Sequence, residues 1–238
     1  MAVIAENARI AEGIFRMRVR GATAGRAGQF YMLRQPDIPV PFLSRPISLF
    51  DADEITGEVS FLYQTAGRGT ELFSRMLAGQ ALTVQGPYGN GFPLLTGDAV
   101  LIGGGIGTAP LYLLLKELRA ADPNRRIEVY LGFREEAFLV AEFKALSDKV
   151  NVNLGGYVAE DVDFKRNAVY YACGPEPMLR AAAKAAREAD AKLYITLEKH
   201  MACGVGACLS CTCKTAAGQK RVCKDGPVFP YEEVYDAI

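Results

Sequence analysis

Cys203-Gly204-Val205-Gly206-Ala207-Cys208-Leu209-Ser210-Cys211, with Cys223 following, is the stretch around which the chain is organised. The spacing is C-x4-C-x2-C, then eleven residues, then a fourth cysteine. That is the plant-type spacing for a [2Fe–2S] cluster. Such a cluster draws four thiolates to two irons, so three must leave one tight loop. Gly204 and Gly206 suit the loop, because glycine reaches positive φ cheaply and leaves backbone N–H groups free to face sulfur. The fourth ligand arrives from Arg221-Val222-Cys223-Lys224. Two other chemistries compete. A zinc ribbon pairs two C-x2-C halves and only one is present, while disulfides mark small exported domains. Cys213 offers an alternative third ligand; the C-x4-C-x2-C geometry favours Cys211 and leaves Cys213 a spare thiol. His200 is the only histidine, which excludes a Rieske site needing two.

Outward from this loop, the 238 residues allow two domains and a small appendage. Lys+Arg and Asp+Glu both number 27, so nothing in the charge suggests nucleic acid. The N-terminus lacks a basic region before an apolar run, and the uncharged run 99–115 is broken by glycines and Pro110. No membrane span is expected, and free cysteines point to the cytoplasm.

Residues 1–96 read as a small antiparallel barrel. Apolar runs at 14–19, 29–33, 47–50, 59–63 and 81–85 alternate with turns at Gly25, Gly28, Pro36, Pro39, Gly57 and Gly86. A short helix is expected over 69–77. Residues 97–198 alternate strands (99–102, 127–131, 150–154, 168–172, 193–196) with helices (108–121, 138–146, 177–189). That is the pattern of a doubly wound α/β domain. Residues 199–238 form the cluster module. The fold class is therefore multidomain β plus α/β.

Gly103-Gly104-Gly105-Ile106-Gly107-Thr108 lies between a strand and a helix, where backbone N–H groups meet a phosphate. The run departs from G-x-G-x-x-G at Thr108, and a plain tight turn is the alternative. Cys173-Gly174-Pro175 also closes a strand and opens a helix. Cys173 there would face the ligand crevice or be an ordinary buried cysteine. Arg45-Pro46-Ile47-Ser48 offers a guanidinium fork to a pyrophosphate, and Gly69-Thr70 a helix start; singly, each reads as a surface arginine or a cap. After the second strand of the α/β domain, Glu135 and Glu136 would repel a 2′-phosphate that Arg134 alone would attract. NADH is therefore expected over NADPH.

In combination, R-P-x-S, G-x-G-T, G-G-G-x-G-x-x-P, C-G-P-x-P-M and the C-terminal M-x-C-G-x-G-x-C-x-x-C module resemble the ferredoxin-reductase superfamily. The ending V-C-x-D-G-P-V-F narrows the resemblance to the electron-transfer subunits of type B dihydroorotate dehydrogenase. The resemblance implies an FAD-binding barrel with Arg45, Pro46, Ile47 and Ser48 at the flavin. Leu62, Tyr63 and Gln64 would lie on a strand beside it, with Gly69 and Thr70 at its phosphates. It implies NAD at Gly103, Gly104, Gly105, Gly107 and Thr108, with Cys173, Gly174 and Pro175 by the nicotinamide. Cys203, Cys208, Cys211 and Cys223 would hold the cluster, although the linker from Cys211 to Cys223 is short for the family. It further implies an FMN-containing catalytic subunit as partner, with two of each chain. A flavin/iron–sulfur reductase of another complex and a non-catalytic redox sensor are the alternatives.

Overall fold

The computed structural model describes residues 1–36, 41–53 and 55–235. The expected turn at Pro39 lies outside them. Six strands close into a barrel: β1 (Ala2–Ala11), β2 (Ile14–Arg20), β3 (Phe30–Arg34), β4 (Arg45–Asp53), β5 (Glu58–Gln64) and β6 (Ala81–Tyr88), in spatial order β1-β2-β5-β4-β3-β6. All pairings are antiparallel. Helix α1 (Arg68–Ser74) closes one end with Phe73, while the Asn7 amide donates to the carbonyls of Phe73 and Met76 at 2.8 and 2.9 Å. The alternation of β3 matters most for the site. Tyr31 and Leu33 point into the barrel core, whereas Phe30 and Met32 point out into a second apolar cluster with Cys211 and Cys223.

The second layer is a six-stranded sheet of order β14-β11-β10-β7-β8-β9. Its parallel strands are β7 (Asp98–Gly104), β8 (Ile127–Phe133), β9 (Lys149–Leu154), β10 (Ala168–Cys173) and β11 (Lys192–Thr196). Helices α2 (Ala109–Ala121), α3 (Val140–Lys144) and α4 (Glu176–Glu188) connect them. The chain runs β7-β8-β9 to one side and β10-β11 to the other, so the order reverses between β7 and β10. In such sheets ligands bind at that crevice, beyond the strands' carboxyl ends. Helix α2 joins the sheet to the barrel. Its Tyr112 stacks on Phe50 with centroids 4.7 Å apart, Lys116 reaches Asp51 at 2.6 Å, and the Glu117 carboxylate accepts the Ala27 N–H at 2.9 Å.

The remaining elements are β12 (Thr212–Thr215), β13 (Gly218–Arg221), α5 (Val222–Asp225), β14 (Val228–Pro230) and α6 (Tyr231–Tyr235). Strand β14 pairs antiparallel with β11, so the cysteine module completes the edge of the sheet. Four features depart from the sequence expectations. Strand β1 was not expected; its sequence, AVIAENARIA, is alanine-rich and alternates weakly, and the Gly13 turn and pairing with β2 impose it. Strand β14 has only three residues, too few for a period. A 3-10 turn over Gly105–Thr108 precedes α2, and α3 is shorter than 138–146 because Leu139 takes φ 60°.

Candidate functional site

The cysteine loop turns at Gly204 (φ 72°) and Gly206 (φ 81°), conformations that favour glycine. The turn aims amides at sulfur: the N–H groups of Val205 and Cys208 donate to Cys203 Sγ at 3.4 and 3.5 Å. The backbone N–H groups of Cys208 and Val205 hold the Cys203 thiol well below its ordinary range, at about 6. Across the loop, Cys223 on α5 donates its N–H to Cys211 Sγ at 3.4 Å. Burial, and then the neighbouring Cys211 sulfur, push the Cys223 thiol up to about 12. The thiols thus fall into two pairs, Cys203 with Cys208 and Cys211 with Cys223. Among the described residues no three His, Cys, Asp or Glu side chains gather as one metal ion would require. Two pairs backed by amide donors fit a binuclear centre better than a single tetrahedral zinc. Arg221 fixes the second pair's segment by gripping Asp225 with Nε at 2.9 Å and Nη2 at 3.1 Å. Cys213 lies on β12, buried, its thiol raised by burial.

The loop rests on the barrel. A Cβ on Gly204 would fall 2.8 Å from Met32 Cγ and 3.3 Å from the Tyr88 ring. Met32 pairs across the ladder with Pro46, Tyr31 with Ile47 and Phe30 with Ser48. Residues 45–48 are all half-buried, unlike the buried Leu49 and Phe50 that follow, so neither side of this stretch of β4 is fully covered by the protein. Arg45 lies over the start of α1, where a Cβ on Gly69 would meet its Nε at 2.4 Å. Its Nη1 donates to the Leu43 carbonyl at 2.5 Å, and among the described residues no carboxylate pairs with it. Thr70 ties its own loop, accepting the Ala66 N–H at 2.9 Å and donating to the Gly67 carbonyl at 3.0 Å. An arginine with no carboxylate partner among the described residues, beside a glycine helix start, fits an anionic diphosphate group. Leu62 and Tyr63 are buried, and the Tyr63 hydroxyl is spent on Asn7 Oδ1 at 3.0 Å. Only Gln64 of that trio opens to a cavity.

That cavity, about 810 Å³, lies between barrel and sheet. Its floor is the switch point: Gly104, Gly105 and Gly107 from the first loop, Gly174 and Pro175 from the second. The two loops touch. A Cβ on Gly107 would meet the Cys173 carbonyl oxygen at 2.5 Å, and one on Gly104 would meet Pro175 Cδ and Met178 Sδ at 2.7 Å. Gly103, Thr108 and Cys173 lie beneath and are buried; Thr108 Oγ1 has no protein partner. Cys173 is buried, and burial, then the charge of Glu198, push its thiol up. The far wall carries Arg134, Glu135, Gly155, Gly156 and Tyr157. Glu136 is drawn across to the barrel, its Oε2 accepting the Glu12 N–H at 3.1 Å. Sequence reasoning missed Gly155, Gly156 and Glu198. All three follow the carboxyl end of a sheet strand, which is the signal that would have found them. Glu198 is exposed at the cavity wall, and the surrounding protein raises its carboxyl by desolvation.

Residues 198–235 match the family model described as the iron–sulfur cluster binding domain of dihydroorotate dehydrogenase B. The electron transfer subunit of dihydroorotate dehydrogenase B (NAD(+)) from Clostridium perfringens is 42% identical over 97% of this chain and 96% of its own length. The chain belongs to the family of dihydroorotate dehydrogenase B electron transfer subunits. The subunit of the same name from Clostridium acetobutylicum is 39% identical, covering 94% of this chain and 92% of its own. Among solved structures, an NADH-dependent reduced ferredoxin–NADP oxidoreductase studied for flavin-based electron bifurcation superposes with a TM-score of 0.87. It is 28% identical and covers 98% of this chain and 89% of its own. Among the described residues no helix is long and apolar enough to cross a membrane.

Proposed function

We propose that this chain carries electrons from the FMN of a dihydroorotate-oxidising catalytic subunit, through a [2Fe–2S] cluster and an FAD, to NAD+. The observation that carries this reading is the seating of the cysteine loop on Met32, one ladder pairing away from the Arg45–Ser48 face. Nicotinamides exchange a hydride and iron–sulfur centres single electrons; a flavin converts between the two.

The chain's own residues then have positioning roles. Cys203, Cys208, Cys211 and Cys223 supply the thiolates, with the Val205, Cys208 and Cys223 amides balancing their charge. Arg45 and the Gly69-Thr70 helix start bind the FAD phosphates, while Pro46, Ile47 and Ser48 border its ring system. Leu62 and Tyr63 contribute backbone only, and Gln64 a side chain at the cavity wall. Gly103, Gly104, Gly105, Gly107 and Thr108 let the NAD phosphates approach the backbone. Gly174 and Pro175 shape the nicotinamide end, with Cys173 buried behind them. Residues 1–96, 97–198 and 199–238 act as the FAD, NAD and cluster units. The relatives are named as electron transfer subunits, so the dihydroorotate site belongs to a second chain. The assembly contains two of each subunit and works in the cytoplasm, where thiols stay reduced.

Reconstitution tests this reading. Alone, the loaded chain should oxidise NADH with an artificial acceptor and leave dihydroorotate untouched. Mixed with an FMN-bearing catalytic subunit, it should couple dihydroorotate oxidation to NAD+ reduction. Failure of the mixture while each part keeps its own activity would refute the assignment.

A further inference from the structure

The segment Gly86-Pro87-Tyr88-Gly89-Asn90-Gly91-Phe92 was given no role by the motifs, yet it touches all three parts of the molecule. Asn90, just beyond β6, engages the backbone that follows the fourth cysteine. Its Nδ2 donates to the carbonyls of Asp225 at 3.3 Å and Val228 at 3.0 Å, and its Oδ1 accepts the Val228 N–H at 3.1 Å. Its own N–H donates to the Gly226 carbonyl at 2.7 Å. Gly89 has φ 77°, and a Cβ there would lie 2.6 Å from Pro227 Cδ and 2.8 Å from the Gly226 carbonyl oxygen. The Gly89 carbonyl in turn accepts Gln29 Nε2 at 2.9 Å. On the sheet side, Phe92 meets Tyr171 edge-on at 5.7 Å, and the Tyr171 hydroxyl donates to the Pro93 carbonyl at 2.8 Å.

A side-chain amide that bonds three separate main-chain groups has its rotamer and its partners' positions fixed together. The segment it grips, 225–228, leaves α5, which carries Cys223, and leads into β14. The barrel end of the grip is β6, whose neighbour β3 carries Met32 and pairs with the Arg45–Ser48 strand. From this we infer that Asn90 is a positioning residue for electron transfer: it fixes the cysteine module against the flavin strand and so sets the separation of the two redox groups. The Gly204–Met32 contact is the second point of the same seating. The two contacts hold different segments of the module, one by the first cysteine and one beyond the fourth, against the same β3–β6 end of the barrel.

This inference rests on the proposed function, and the experiment separates the two. The full chain, loaded with FAD and cluster, is compared with Asn90→Ala, which loses three side-chain hydrogen bonds, and with Asn90→Asp, which keeps the acceptor for Val228 but loses both donations. Gly89→Ala, which pushes at Pro227 from the barrel side, is a second route should the Asn90 variants fail to fold. Three quantities are read anaerobically: FAD and iron content with the cluster's electron paramagnetic resonance, the stopped-flow rate at which NADH bleaches the flavin, and the rate at which the cluster is then reduced. Electron tunnelling weakens as the separation of the two groups grows, so a module seated less firmly transfers more slowly. Asn90→Ala and Gly89→Ala should therefore slow cluster reduction several-fold, and Asn90→Asp, whose carboxylate would face the Asp225 and Val228 carbonyls, at least as much. FAD and iron content and flavin bleaching should match the parent. Cluster reduction at the parent rate in a fully loaded Asn90→Ala or Gly89→Ala would overturn the inference. Loss of the cluster itself would also overturn it, by making Asn90 a determinant of assembly. A parent chain that binds neither FAD nor cluster would instead overturn the proposed function.

Discussion

Cys211 and Cys213 lie on the same side of one short segment, and their surroundings separate them. Cys211 Sγ receives the Cys223 N–H and faces the Cys223 thiol, whereas Cys213 sits within β12 with no amide aimed at it among the described hydrogen bonds. The spacing in the sequence favours Cys211, and the amide aimed at its sulfur supports the same choice. Cys213→Ala should retain the cluster's paramagnetic resonance signal and Cys211→Ala should lose it; the reverse pattern would reassign the third ligand. The acidic pair after β8 was legible only in part. Both carboxylates sit at the cavity wall, but Glu136 is tied to Glu12, which leaves Glu135 to meet a 2′-phosphate. Glu135 is exposed, so solvent and salt weaken that repulsion without removing it. Steady-state dye reduction should therefore show a higher kcat/KM for NADH than for NADPH, and Glu135→Gln should narrow the gap. Equal efficiencies in the parent chain would contradict this.

At the scale of elements, the switch point between β7 and β10 depends on two glycine loops in contact. Gly107→Ala places a methyl 2.5 Å from the Cys173 carbonyl, against backbone that cannot rotate aside. The expected result is FAD and cluster at parent levels, with NADH-driven flavin bleaching slowed strongly; normal bleaching would mean that NAD does not use this crevice. Strand β8 carries a different constraint. Burial alone would raise the Glu128 carboxyl, but hydrogen bonds and charge from Arg166 and Arg126 outweigh it and hold the group below its ordinary range. The bonds are 2.6 Å to Arg166 and 2.8 Å to Arg126. A depressed folded pKa stabilises the fold above the unfolded value of about 4.3, and that stability is lost as pH falls through the folded pKa. Glu128→Gln should cost about 2 kcal/mol near neutral pH, less than a fully buried pair because Arg126 is largely exposed. It should also flatten the acid limb of the denaturation curve below about pH 4; an unchanged limb would remove Glu128 as its source. The elements themselves were legible where the pattern was strong. The apolar run 99–102 and the glycines after it mark β7 and its loop without ambiguity. Strands β1 and β14 were not legible, since both owe their form to partners distant in sequence, β2 and β11.

For the whole molecule, the arrangement of the parts carries more than their inventory. Motif spacing named a barrel, a nucleotide fold and a cysteine module in order. It said nothing of the module feeding β14 into the sheet, of α2 bridging sheet to barrel, or of Asn90 holding residues 225–228, because those contacts join segments far apart in the chain. The central claim is that one chain links a two-electron carrier to a one-electron centre. It is tested most directly by anaerobic titration of the isolated, loaded chain with NADH, followed by visible absorbance and electron paramagnetic resonance. The account predicts about two irons per chain. It also predicts flavin bleaching on adding NADH, and a reduced-cluster signal that is present in the parent and in Cys213→Ala but absent in Cys211→Ala. Flavin bleaching with a cluster that stays oxidised in the parent chain, or a single bound metal in place of two irons, would contradict it.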